Sequence, residues 1–386
     1  MSNSVAIVGV GYTPTRKLTP EVSYKEMIYE ACVRAYHDAN LASHRDIDGF
    51  ISCAEDFLEG TSIFDEYTPD QLGGIQKPMH TISGDTLLGL ATAVMNIRTG
   101  LQQLVVVEAH SKASNIKTLD AILHYATDPI LTRPLHLNPH FIAGLEMQRF
   151  LDISKNTLEQ CAEVVVKNKR NALKNDLSTY GTRLTTREVL SSEPTSTPLT
   201  QLQHAEPTDG AIVFVLASSK IAKKMNRTPV WIKGCGWISD APSLETRDWN
   251  RCAYAALSAQ MAYRQAGIRN PKKQIDFFEI DDTFSYKELE HLEALGIYET
   301  GKSGKALLQG ALDPDGKTPT NVSGGSLGMG HVLEATGGFR TLEIVKQLRA
   351  EAGPRQLDKV KTGLAFSWRG LPTTSGVTMI YSQKGA

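Results

Sequence analysis

This sequence is not organised around cysteine, net charge or a long apolar run. Its 386 residues include five cysteines, Cys32, Cys53, Cys161, Cys235 and Cys252. They are odd in number, scattered and never spaced as CxxC, which argues against a disulfide framework or a structural zinc site and fits a reducing cytoplasm. The 41 basic residues stand against 42 acidic ones, a formal net charge of −1. Neither nucleic acid nor an acidic membrane surface is therefore expected as the main partner. No stretch approaches the roughly 18 consecutive apolar residues that a membrane span needs. The first residues, MSNSVAIVGVGYTP, lack the basic region and the long apolar region of a signal peptide. The expected location is cytoplasmic.

What is present is an alternation of strands and helices. Hydrophobic residues make up 41% of the chain, enough for one or two packed cores. Residues 5–10 form a short apolar run of strand type, 24–39 have helical spacing and 47–52 return to a strand. A helix is predicted over 86–98 with Gly100 as its stop, followed by a buried strand at 104–107. Residues 110 to about 160 begin irregularly, a length that marks a functional loop or small subdomain. Further on, 155–174 reads as a helix, 210–217 as a buried strand and 219–224 as helical. The pattern is that of an α/β protein, a sheet covered by helices.

The later half repeats the order. Helices are predicted at 249–267, 287–295 and 331–349, strands at 275–280, 362–366 and 376–381, and a glycine-rich loop at 323–330. Two similar α/β halves follow, with a boundary near residue 245: 1–245, which includes a loop domain at about 110–160, and 246–386.

Four segments, in order and spacing, resemble the thiolase superfamily. They are TISGDTLLGLATAVMNIRTG from Thr81, TDGAIVFVLASSKIAKK from Thr208, IDDTFSYKELEHLEALGI from Ile280 and VSGGSLGMGHVLEATGG from Val322. The sterol-carrier-protein-like and archaeal-type thiolases are the most similar. The resemblance implies a thiolase fold, a five-layered αβαβα arrangement of two duplicated halves with a lid or loop domain over the site, normally a homodimer.

The resemblance also implies a site. Thiolase chemistry needs a nucleophile at a helix N-terminus, an oxyanion site and a second acid/base. Counting back from Gly100, the nucleophile position falls on Ser83, whose hydroxyl needs an adjacent base; the plain alternative is that Ser83 caps the following helix. His331 stands at the family's GHP histidine, with Val332 in place of the proline. Asp281 stands where the family has Asn or His, and could donate a hydrogen bond only if burial kept it protonated. Asp282 and Phe284 match HDCF, with Thr283 for its cysteine, and Ser367 occupies the second catalytic cysteine's position. No cysteine falls at a family catalytic position. The expected catalytic set is Ser83, Asp281, His331 and Ser367; Gly324, Gly325, Gly330 and Phe284 are expected against substrate or CoA.

Other features have plainer readings. Gly9 and Gly11 follow a strand, but Pro14 stands where a dinucleotide loop needs glycine. Glu108, His110 and Lys112 read as solvated strand-end residues, and Lys220, Lys223, Lys224 and Arg227 as a solvated helix face. A metal at His136 and His140 is not expected, nor any permanently bound cofactor; coenzyme A would be a substrate. The implied activity is acyl transfer or carbon–carbon cleavage or formation on an acyl-CoA, alternatively retro-aldol cleavage. The implied partners are a small OB-fold/zinc-ribbon protein or a second, active thiolase-fold subunit, for which this chain could also serve as a non-catalytic scaffold.

Overall fold

The computed structural model describes residues 4–41, 44–55, 63–117, 119–225, 227–371 and 373–385. Nine strands form one continuous sheet: β1 (Val5–Tyr12), β2 (Gly49–Cys53), β3 (Met79–Ile82), β4 (Leu104–Lys112), β7 (Asp209–Ser218), β8 (Val230–Ser239), β9 (Phe277–Glu279), β10 (Thr362–Gly370) and β11 (Thr374–Ser382). A separate small hairpin pairs β5 (Pro194–Ser196) with β6 (Leu199–Thr200). Helices of ten or more residues are α1 (Tyr24–Asp38), α2 (Thr86–Arg98), α3 (Pro139–Ser154), α4 (Leu158–Ala172), α5 (Ala253–Ala266), α6 (Ser285–Ala294) and α7 (Thr336–Arg349).

The strand order β3-β2-β4-β7-β1-β8-β11-β10-β9 is close to a palindrome in its pairings. On one side β2 and β4 are parallel, β4 and β7 antiparallel, and β7 and β1 antiparallel. On the other side β9 and β10 are parallel, β10 and β11 antiparallel, and β11 and β8 antiparallel. The repeats meet where Val5–Ile7 pair with Val230–Ile232. Strand β8 lies ahead of residue 245 in the chain, yet sits with the later strands. Its glycines and polar residues interrupt the apolar alternation, so no strand pattern shows there in the sequence.

Strand residues alternate between three separate cores, and this alternation defines the layers. Ala6 and Val8 of β1 and Ala211, Val213 and Val215 of β7 face α1. Val5 and Ile7 of β1 and Ile212, Phe214 and Leu216 of β7 face the central helices α2 and α7, as do Val377, Met379 and Tyr381 of β11. Leu364, Phe366 and Ile380 face the opposite way, onto α5 and α6. The result is five layers built on the two halves of the one sheet, with α1 outside one half, α5 and α6 outside the other, and α2 and α7 buried between them.

The ends of α2 follow from its sequence. Asp85, in extended backbone, accepts a hydrogen bond from the Leu87 amide and caps the helix. Leu87, Leu90, Val94 and Ile97 then bury one face at helical spacing. Each such side chain contributes about 1.5–3 kcal/mol of burial. The chain leaves the helix through Gly100 at φ +84°.

Gly9 and Gly11 have a packing role. A Cβ at either would collide with the α1 backbone, at Ala35 and Ala31 respectively. Part of the 110–160 region is helical, including Leu119–Tyr125 and α3. The predicted helix at 331–349 begins only at Thr336. Leu333 has φ +43°, and the Val332 amide donates to the Thr336 hydroxyl, so 331–335 forms a separate turn.

Candidate functional site

The amino ends of α2 and α7 meet at Asp85. One carboxylate oxygen accepts from the Leu87 amide at 2.9 Å, the other from the Gly337 amide at 2.8 Å. A side chain on Gly337 would collide with this carboxylate and with the Ser367 hydroxyl, so glycine is what lets the helices approach. The Ser367 hydroxyl neighbours this carboxylate and acts to lower its pKa. Ser367 lies on β10, where β9 and β11 flank it.

Behind these groups lies a residue that the sequence reading missed. Arg340 of α7 is almost wholly buried and donates to Ser367 Oγ at 3.0 Å and Ser326 Oγ at 2.8 Å. It pairs with Asp281 Oδ2 at 2.8 Å and approaches Asp282 at 3.8 Å. Its signal in the sequence was a lone cation on the otherwise small and apolar face Gly337, Ile344, Leu348. Because arginine only donates, Ser367 must accept from it and keeps its single hydroxyl proton to donate.

This corrects the expectation for Asp281. Burial would raise its pKa, but Arg340, then His291 and the Thr283 amide, hold it below the ordinary 3.8. It is a carboxylate, not a neutral donor. Asp282 differs: burial, Glu288 and Asp281 outweigh Arg340 and push it up to about 6. It accepts from the Ser326 and Leu327 amides at 2.6 and 3.1 Å and so caps the short helix Gly325–Met329 inside the glycine-rich segment.

Gly325 has φ +57°, and a Cβ there would strike the Asp282 carboxylate; Gly330 has φ +118° and abuts Thr208. Gly324, at φ +105°, packs on Ala172. These three glycines have packing roles that account for them without a ligand.

His331 follows Gly330, pinned by its amide to Glu206 O at 2.8 Å and by its carbonyl to the Thr208 amide at 2.9 Å. Burial lowers its pKa to about 4, with Asp281 pulling the other way. Its ring is therefore neutral at pH 7. Three buried polar atoms near these residues lack a protein partner, Thr208 Oγ1, Thr283 Oγ1 and Arg340 Nε. They are available to hydrogen-bond a ligand.

Ser83 is exposed and lies two residues ahead of the cap, which corrects the reading of Ser83 as the helix cap: that position is Asp85's. Its carbonyl accepts from Arg369 at 3.2 Å, and Arg369 also pairs with Glu55. Ser83, Asp85, Ser367 and Arg369 line one cavity of about 110 Å³ with Trp237, Ser239 and Ser375; His331 is not in its wall. Phe284 lies elsewhere, in a cluster under α3 with His140 and His204, ring centroids 6.2 and 5.9 Å away.

All five cysteines are free and buried. Burial pushes Cys32 up to about 12 and raises the others as well. Glu108, His110 and Lys112 are buried too, against the expectation of solvated residues. Ser52 donates to Glu108 at 2.6 Å, His110 Nδ1 lies 2.7 Å from Glu108, and Lys112 pairs with Asp209 at 2.9 Å. Lys220, Lys223 and Lys224 are exposed, while Arg227 pairs with Asp38 and Glu351.

His136 stacks on His124. Among the described residues one trio, Cys252, Glu290 and His291, could converge on an ion. It does not suit one: the Lys287 ammonium already sits 2.8 Å from Glu290, and both His291 nitrogens are engaged, by Asp281 O and the Tyr254 hydroxyl.

Residues 238–383 match the model of the family described as thiolase C-terminal domain-like. The acetyl-CoA acetyltransferase of Methanothermobacter thermautotrophicus is 28% identical over 97% of this chain and 98% of its own. Rabbit (Oryctolagus cuniculus) sterol carrier protein 2 is 29% identical over 97% of this chain and 71% of its own. Among solved structures, the Ltp2-ChsH2(DUF35) aldolase superposes with TM-score 0.85 at 23% identity, over 99% of this chain and 98% of that one. Human mitochondrial 3-ketoacyl-CoA thiolase superposes with TM-score 0.76 at 16% identity, over 99% of both. Four motifs in order, the duplicated strand pairing and these likenesses agree: the fold is the thiolase fold, and residues 238–383 match the thiolase C-terminal domain-like family.

Proposed function

We propose that this chain acts on a coenzyme A thioester and breaks or makes a carbon–carbon bond without holding the acyl group on a thiol. The reaction is aldol in sense: a 3-hydroxyacyl-CoA is divided into a carbonyl compound and a shorter acyl-CoA. One observation carries this reading. The amino end of α2, the family's place for the nucleophile, is capped by the carboxylate of Asp85, and all five thiols are buried with raised pKa values.

The two chemistries make different demands. Thiolysis parks an acyl group on a nucleophile between half-reactions. Ser83 could do so only with a base, and its one hydrogen bond among the described residues is through its carbonyl. Aldol cleavage parks nothing. It needs a base for the hydroxyl proton and donors for the enolate oxygen. Neutral His331, with the unpartnered hydroxyl of Thr208, whose amide bonds the His331 carbonyl, suits the donor role.

Coenzyme A enters as part of the substrate, and no resident cofactor is required. A dimer of this chain, with an OB-fold/zinc-ribbon partner helping to hold the acyl-CoA, is the proposed assembly, in the cytoplasm. The likeness to an aldolase solved with a DUF35 component supports it. The test is product analysis by mass spectrometry. The purified chain, alone and co-expressed with its neighbouring gene products, is given 3-hydroxyacyl-CoAs in one arm and acetoacetyl-CoA plus CoA in the other. Carbonyl product plus shortened acyl-CoA supports the reading. Thiolysis that Ser83→Ala abolishes replaces it with acyl transfer, and inertness in every combination leaves the scaffold role.

A further inference from the structure

The sequence motifs do not single out Asp85. It has a plain structural role as a bracket between two helix ends. Three features go beyond that role.

The first is position. Asp85 is in the wall of the 110 Å³ cavity that also exposes Ser83, Ser367 and Arg369. The second is spare capacity. A carboxylate has about four acceptor positions. The Leu87 and Gly337 amides occupy two, and the neighbouring Ser367 hydroxyl can take a third, which leaves at least one. The third is a support chain whose polarity is fixed. Asp281 holds Arg340, Arg340 donates to Ser367, and Ser367 keeps its only proton to offer the neighbouring Asp85 carboxylate. Arg340 and Ser367 are thus positioning residues. They hold the carboxylate's orientation and leave it a free acceptor position.

We infer that Asp85 is the catalytic base of the aldol step, and that the group it acts on is the 3-hydroxyl of an acyl-CoA; this rests on the function proposed above. Asp85 takes the hydroxyl proton. The C2–C3 bond breaks, its electron pair passes to C2 and the thioester carbonyl as an enolate, and C3 becomes a ketone or aldehyde. Protonation of C2, by the proton Asp85 has gained or by water, releases the shortened acyl-CoA. No oxidant, metal or external nucleophile enters the balance. Burial favours the role: it raises the Asp85 pKa above the ordinary 3.8 against the lowering by Leu87, Arg340, Gly337 and Ser367, so the carboxylate is a stronger base than a surface aspartate.

The test compares wild type, Asp85→Asn and Ser367→Ala on 3-hydroxyacyl-CoA cleavage across pH. Asparagine keeps an oxygen for one helix amide and removes the charge, and matched melting curves check that the variant is folded. The expected result is a loss of about 10²–10⁴-fold in kcat with KM little changed and no acid limb left in the pH profile. Ser367→Ala removes a hydroxyl that lowers the Asp85 pKa, so its acid limb moves to higher pH; a purely structural serine would not move it. Cleavage by wild type that Asp85→Asn leaves within a few fold, acid limb intact, overturns the role of Asp85 while the lyase reading stands. Failure of wild type itself to cleave, with every partner combination, overturns both.

Discussion

Arg340 Nη2 and Asp281 Oδ2 lie 2.8 Å apart with side chains 2% and 1% exposed, so a fully desolvated ion pair joins the last helix to the strand end that carries the family motif. Such pairs are asymmetric in their energetics. Breaking one by removing a single partner leaves an uncompensated buried charge, at a cost of about 3–5 kcal/mol. Arg340→Met should lower unfolding free energy by that order in urea titration. The double variant Arg340→Met, Asp281→Leu should recover most of the loss. A single variant within 1 kcal/mol of wild type would show that the pair is not what holds these segments together.

The buried carboxylates give a pH dependence whose sign can be worked out. Burial, with Glu343 nearby, pushes Glu279 up to about 8 from an ordinary 4.5, although Ser323 donates to it through hydroxyl and amide. Its folded pKa exceeds its unfolded one, so the folded state binds the extra proton. Its contribution to stability is lost as pH rises from about 4.5 through 8. Buried histidines act in the opposite direction. His204, His291 and His331 are held neutral, well below their ordinary 6.5, so folding gains as pH rises through that value. The difference between wild type and Glu279→Gln cancels the histidine contribution. Between pH 6 and 8 the variant should gain relative to wild type, with a slope of at most about 1.4 kcal/mol per unit for one proton. Equal slopes in urea titrations at pH 6, 7 and 8 would mean that Glu279 is ionised throughout.

The sequence made the periodic elements legible and left the wiring of the site hidden. α2 was found to the residue because Leu87, Leu90, Val94 and Ile97 repeat at helical spacing and Gly100 ends the run. β8 was missed because Gly234 and Gly236 are there to let the α5 backbone approach, and small residues placed for contact look like a loop. Ser367 and His331 were reached through motif resemblance. Asp85 has a local signal, an acidic residue immediately before an apolar helix, but the family spacing points two residues earlier, to Ser83. Arg340 and the direction of its hydrogen bonds depend on three segments that are distant in sequence, at 281–282, 326 and 367, and no local pattern encodes that meeting.

The glycine-rich segment makes a further prediction. Gly325 combines φ +57° with a Cβ direction that points into the Asp282 carboxylate, and Asp282 is the cap of the helix beginning there. Gly325→Ala therefore strains the backbone and displaces the cap together. The expected loss is about 2–4 kcal/mol, the sum of a left-handed alanine and a disturbed N-cap. Gly267→Ala is the comparison: φ is +68° with nothing within 4 Å of the added carbon, so it should lose only the backbone part, about 1–2 kcal/mol. Equal melting-temperature shifts for the two would remove the argument that Asp282 occupies the space.

Thiol chemistry distinguishes this site from a cysteine-dependent one without any substrate. Each of the five cysteines is buried, and burial is the leading cause of every raised thiol pKa. A thiol reacts as its thiolate, so both access and ionisation work against all five. Ellman's reagent at pH 7.5 should find no rapidly reacting thiol in the native chain and five in guanidinium chloride. Iodoacetamide should leave any catalytic activity unchanged. Ser83→Cys places a thiol on an exposed residue of the cavity wall, and it should add one rapidly reacting group. It should also confer no thiolysis of acetoacetyl-CoA, because the cap that meets both helix ends is still the Asp85 carboxylate, and the added thiol lies two residues short of it. If Ser83→Cys does turn over acetoacetyl-CoA, residue 83 can reach the reacting carbon after all, and counting back from Gly100 located the nucleophile correctly.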